Sequence, residues 1–168
     1  ETYGIMVAAI GLAVVFAACF LVNMINKPLR KSKFFHTSDY AQVFEKDLAS
    51  IDYSGEMDEI ADQMFGIFNR NAEASSMAVY INGGNATFEN AYTSNGKKYK
   101  IDSYEILFES LLNIGRNVVI FTEVETVHAL SPFKKELQDF FKKTEADALF
   151  IVNEGRDVHG IIILGMKA

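Results

Sequence analysis

Hydrophobic positions change their spacing along this chain, and each spacing predicts a different kind of element. From Tyr3 to Val22 no charge and almost no polar atom interrupts an apolar run. As a helix rising ~1.5 Å per residue, such a run reaches ~30 Å, the thickness of a bilayer's hydrocarbon core, so residues 1–26 read as a transmembrane helix. Pro28 ends it, because proline disfavours helix at Lys27 and offers no amide to the preceding turn. A connector over 27–38 follows. Ser38 can cap a short helix to Leu48, with Tyr40, Val43, Phe44 and Leu48 on one side. Ser54 can cap the next, in which Met57, Ile60, Ala61, Met64, Phe65 and Phe68 recur at the spacing of a helix that buries one face.

The period then shortens. Met77, Val79 and Ile81 alternate with smaller or polar residues, as in a strand. Asn82-Gly83-Gly84-Asn85 is a turn, since glycine and asparagine tolerate positive φ. Residues 87–93 form the returning strand, with Phe88 and Tyr92 its bulky members, and Asn95-Gly96 turns into a further strand over 98–101. Ser103 caps a helix to Ile114, with Phe108, Leu111 and Leu112 inward and Gly115 as its stop. A buried strand over 118–124 precedes Ser131-Pro132, a cap followed by proline at the first helical position. That helix buries Phe133, Leu137, Phe140 and Phe141. Strands over 148–153 and 158–166 flank the turn Glu154-Gly155-Arg156-Asp157. Hairpins at both ends of the strand set predict an α+β domain over 39–168, with a largely antiparallel sheet and helices packed on it.

Charge sets the expected orientation. Glu1 precedes the apolar run, whereas Lys27, Arg30, Lys31 and Lys33 follow it. Positive charge is retained on the cytoplasmic side, so the following domain is expected in the cytoplasm, on a single-pass anchor in the inner membrane. Of 16 basic and 22 acidic residues, the first 38 positions hold four and one, leaving 12 and 21 and a net −9 for the remainder. So acidic a domain repels phosphate backbones, which argues against nucleic acid as a partner. The single cysteine, Cys19, lies in the apolar run, so no disulfide forms within the chain. The tetrad Phe16-Ala17-Ala18-Cys19 loosely resembles a lipoprotein box, and the alternative reading is a periplasmic lipoprotein domain. Against it, the run continues past Cys19 through Phe20, Leu21 and Val22. The opening at Glu1 suggests a piece of a longer protein. Small residues at Gly4, Ala8 and Gly11, and at Ala9, Ala13 and Ala17, would let two such helices approach closely in lipid, although alanine is common in any membrane helix.

The segment from Thr144 to Gly165 resembles the close of a GAF domain: a hydrophobic strand, a short polar turn, and a strand in which glycine precedes an apolar run, here Gly160, Ile161 to Leu164, and Gly165. The amphipathic helix before it and the entry helix ending near Ala72 extend the resemblance over roughly 40–168. It implies a GAF-like, PAS-related antiparallel sheet of about six strands with packed helices. In function it implies a sensory or regulatory module, without catalysis of its own, that dimerises and controls an attached signalling output domain. A degenerate scaffold that binds protein and no ligand is the alternative. Cysteines that attach bilins or serve redox chemistry in family members are missing, and the cyclic-nucleotide signature is not discernible, so no particular ligand or cofactor is implied.

Candidate chemistry is sparse. His36, His128 and His159 share no metal-ligand spacing with cysteines or carboxylates. Gly155, Gly160 and Gly165 do not form a phosphate loop, and neither a G-x-S-x-G nor a cysteine nucleophile is present in the sequence. Asp58, Glu59 and Asp62 sit at helical spacing, as on a solvated face, and Asn85-Ala86-Thr87 is a glycosylation sequon without meaning in a cytoplasmic domain. A small-molecule pocket, if formed, would lie between a sheet face and the central segment, with Phe88, Tyr92, Phe108, Phe121 and His128 as candidate lining; each is also an ordinary core or loop residue. Met57, Ile60 and Met64 mark one side of the entry helix as a candidate dimer interface, with Phe65 and Phe68 on a neighbouring stripe. In the competing arrangement, residues 40–48 fold back over the second stripe and leave a monomer.

Overall fold

The computed structural model describes residue 43 and residues 46–84 and 87–166. The apolar run, the basic connector, Ser38, Tyr40, Phe44, Asn85 and Ala86 lie outside these residues. Among the described residues no helix is long and apolar enough to cross a membrane. The chain divides into two compact units, one ending at Glu73 and the other starting at Ala74.

In the first unit, α1 (Met57–Ala72) buries Ile60, Ala61, Met64, Ile67 and Phe68. Ser54 does not cap it. The N-cap is Glu56, without a side-chain bond, because Ser54 is engaged with Asp52: its amide and hydroxyl both donate to Oδ1, at 3.0 and 2.6 Å. That pairing holds the Asp52 carboxyl below the usual carboxylate range. The helical residues 46–49 lie back along the end of α1: Asn71 donates to Asp47 at 3.1 Å, and the Arg70 guanidinium is 3.9 Å from the same carboxylate.

The second unit is α+β. Strands β1 (Ala74–Gly84), β2 (Thr87–Thr93), β3 (Val118–Ile120), β4 (Ala148–Glu154) and β5 (Asp157–Met166) form one antiparallel sheet in the order β2-β1-β5-β4-β3. Among the described residues five strands stand where about six were expected. The missing one is 98–101, which forms no ladder: the Tyr99 amide donates instead to Tyr80 Oη at 2.7 Å, and Ile101 turns wholly into the core. The expected strand over 118–124 stops at Ile120. There the Phe121 amide donates to Asp147 O at 2.8 Å, and a 3-10 turn, Phe121–Glu123, takes over. β1 is longer than its apolar alternation suggested, because Asn82 and Gly84 remain paired with Phe88 and Thr87.

Helix α2 (Glu105–Asn113) follows a 3-10 turn, Asp102–Tyr104, without a side-chain cap from Ser103. Asp102 instead accepts from the Phe88 amide at 2.8 Å and so ties the turn to β2. Gly115 stops α2 as expected, at φ 73°, with bonds from Gly115 N to Leu112 O and from Arg116 N to Leu111 O. Pro132 lies inside a 3-10 segment, His128–Phe133, rather than at the first turn of α3 (Lys134–Thr144). The last hairpin forms as the turn residues required: β4 and β5 pair through Glu154 and Asp157, with Gly155 at φ 60° between them.

Helices α2 and α3 and the 3-10 segments share one core with a sheet face. Ala78, Tyr80, Val119, Leu149, Ile151, Ile161 and Ile163 meet Leu107, Phe108, Leu111, Leu130, Leu137, Phe140 and Phe141 there. The opposite sheet face carries Met77, Val79, Phe150, Val152, Ile162 and Leu164, all buried as well. Burial on both faces explains why β4 and β5 read as continuous apolar runs rather than alternating ones.

Candidate functional site

Aromatic packing organises the region in which ligand-lining residues were expected. Phe88, on β2, meets Phe108, on α2, edge to face at 5.5 Å, and Phe108 meets Phe140, on α3, at 5.7 Å. Phe140 continues the chain of rings to Tyr104 at 5.1 Å and to Phe141 at 5.6 Å. Each ring edge, slightly positive, faces a neighbour's negative π-face, which adds ~0.5–1.5 kcal/mol per pair to the burial itself. Phe88 and Phe108 are therefore together, inside the core. Phe121 reaches the far end of the same chain at Phe141, 5.6 Å away, but stays 44% exposed. Tyr92 is buried opposite Val79, outside this cluster. His128 opens its 3-10 segment on the surface. Phe88 and Phe108 are thus brought together, whereas Tyr92, Phe121 and His128 stand apart from them, and the five do not form one site.

A recess among the described residues lies elsewhere. Ser76, Asn95, Tyr99, Thr144, Ala146 and Gly165 are among its lining residues, and its void is ≈ 10 Å³, about one water. None of Phe88, Tyr92, Phe108, Phe121 and His128 lines it. Thr144 is 2% exposed and returns its hydroxyl to Phe140 O at 2.8 Å. Lys97, between two lining residues, pairs with Glu145, between two others, and so fastens the loop after β2 to the end of α3. Glu145 itself stands at φ 52° and Glu73 at φ 53°, in the left-handed region where helices usually end on glycine.

Sequence reasoning passed over two tyrosines. Tyr80, 1% exposed in β1, accepts the Tyr99 amide, and burial pushes its hydroxyl up from the ordinary value. Tyr104 donates to Asp139 Oδ2 at 2.6 Å while Lys143 Nζ lies 5.1 Å from its ring centroid. Burial first, and then the bond and negative charge of Asp139, push the Tyr104 hydroxyl up to about 12. Both hydroxyls are held neutral and spent on fastening the segment 97–104 to its neighbours. The only signal for them was a tyrosine at a core-facing position, which does not say where its hydroxyl finds a partner.

On the entry helix, Ile60 and Met64 are buried within the single chain and Met57 is half-buried; the exposed positions between them are Asp58, Glu59, Asp62 and Gln63. Among the described residues no cluster of His, Cys, Asp or Glu could hold a metal ion, and no buried side-chain polar atom lacks a hydrogen-bond partner. No family model, no curated protein and no solved structure matches the chain.

Proposed function

We propose that this chain is a GAF-like regulatory module, tethered beneath the cytoplasmic membrane by residues 1–26 and the basic connector 27–38, that governs an attached output domain through protein contacts. The resemblance rested on a closing strand, turn and glycine-containing strand behind an amphipathic helix. The folding of those segments as β4, β5 and α3, with Gly160 close against β1, supports it. The aromatic core carries the choice between ligand sensing and protein contact. Phe88, Phe108 and Phe140 fill the space in which a small molecule would be sensed, which favours the scaffold mode.

Two copies pair in this reading, chiefly through the small-residue tracks of the apolar helix, because confinement to a membrane raises the effective concentration of each for the other. With Ile60 and Met64 buried, the contribution of α1 falls to its Met57 side. The test uses the full chain in lipid nanodiscs. Thermal unfolding is followed with cyclic nucleotides and tetrapyrroles added singly. An unchanged midpoint is expected, and a saturable rise with any of them overturns the ligand-free mode. Cysteine-accessibility mapping that finds residues beyond 38 outside the cell overturns the tether's orientation and restores the periplasmic lipoprotein alternative.

A further inference from the structure

The second unit carries a lysine-rich face, built from two segments far apart in sequence. Lys97, Lys98 and Lys100 come from the connection after β2, and Lys142 and Lys143 from the last turn of α3; all five are exposed. Contacts at both ends hold the segments side by side. Lys97 pairs with Glu145 at one end, and at the other Tyr104 donates to Asp139 with Lys143 over its ring. Lys98 and Lys100 lie between these fastenings on one segment, and Lys142 lies between them on the other. Counting Glu145, Asp139 and Asp102, which accepts the Phe88 amide, the face stays positive, at five lysines against three carboxylates. From position 74 onward the sequence holds 10 basic and 12 acidic residues, a net −2, so five of those 10 basic residues are gathered here.

We propose that this face docks on the phosphate headgroups of anionic lipid, so that the domain lies against the membrane to which it is tethered. The proposal rests on the tether reading above. Lysines suit a lipid surface because each is a mobile point charge that needs no fixed fork geometry, and a polybasic surface gains about 1 kcal/mol, roughly fivefold, per lysine near an anionic bilayer. A nucleic acid fits less well. It extends its phosphates beyond the patch onto acidic surface, and the aromatic side chains in these segments are half-buried (Tyr99) or buried (Tyr104, Phe140 and Phe141) rather than open for base stacking.

The experiment is lysine acetylation footprinting of the full chain with phosphatidylcholine vesicles, with and without phosphatidylglycerol as a third of the lipid. Carbonate extraction, run in parallel, reports separately on whether the chain is inserted, and the footprint reads the face in either case. Slower acetylation of Lys98, Lys100, Lys142 and Lys143 is expected only with the anionic lipid, and it should vanish at ~1 M salt, where the Debye length falls to about 3 Å. In the Lys98→Glu/Lys100→Glu variant, which spares both fastening contacts, the protection of Lys142 should be lost, since about twenty-fivefold is removed from the surface affinity by the two lysines alone. Equal acetylation in the two vesicles overturns the proposal. So does protection by a short single-stranded RNA that exceeds protection by the anionic lipid.

Discussion

Gly160 offers the sharpest test of the sheet. At its position β5 carries one residue more than β4: Val152 pairs with Gly160 and Asn153 with Val158, so His159 is the extra residue of a bulge. On the other side Gly160 faces Ile81 of β1, and Asn82 reaches across to donate to Val158 O at 2.9 Å. β1 lies so near that a Cβ on residue 160 would be under 3.0 Å from Tyr80 O and 3.4 Å from Ile81 Cα. These are backbone atoms in the centre of the sheet. They cannot rotate aside, so relief requires β1 and β5 to separate. Forcing extra atoms into a packed interior costs about 1–3 kcal/mol. In a domain of ~100 residues each kcal/mol moves the melting midpoint by about 4–8 °C, so Gly160→Ala should lower it by roughly 5–20 °C. Gly165→Ala is the milder comparison, because there the nearest atom is the Ser76 hydroxyl at 2.6 Å, the end of a side chain that can turn away, and the nearest backbone atom, Glu145 O, is farther off at 3.2 Å. Differential scanning calorimetry of both variants reads the difference. A Gly160→Ala or Gly160→Leu protein that melts like the parent would refute the close approach of β1.

Three further outcomes are expected. Phe108→Ala removes the ring between Phe88 and Phe140 at a fully buried position and should destabilise by ~3–5 kcal/mol in denaturant titration. Tyr104 should remain neutral until about pH 12 in an ultraviolet titration of the folded chain. Because its folded value exceeds the ordinary one near 10, its contribution is complete below pH ~10 and is lost as pH rises toward the folded value; Tyr104→Phe should remove that part of the alkaline decline. Glu73→Gly should raise stability by about 1 kcal/mol, since a left-handed φ of 53° strains any residue with a Cβ; an unchanged or lower unfolding midpoint in denaturant would count against that strain.

Local chemistry determined a good part of this fold. The apolar periods located α1, α2, α3 and the outer strands. Glycine's tolerance of positive φ fixed the stop at Gly115 and the turn at Gly155, because those constraints act within a few residues. The order β2-β1-β5-β4-β3 was decided by tertiary structure, since hydrophobic alternation states which face a strand buries and not which strand lies beside it. Residues 98–101 show the same limit: they alternate like a strand, yet the Tyr99 amide found the Tyr80 hydroxyl instead of a neighbouring strand. Phe88 and Phe108 were legible as bulky apolar residues in ordered elements. Whether such rings line a cavity or fill one depends on how closely α2 and α3 settle on the sheet, and here they fill it. The lysine face was illegible for a related reason. Lys97 to Lys100 and Lys142 to Lys143 are more than forty residues apart, and tertiary contacts such as Lys97–Glu145 and Tyr104–Asp139 make them neighbours.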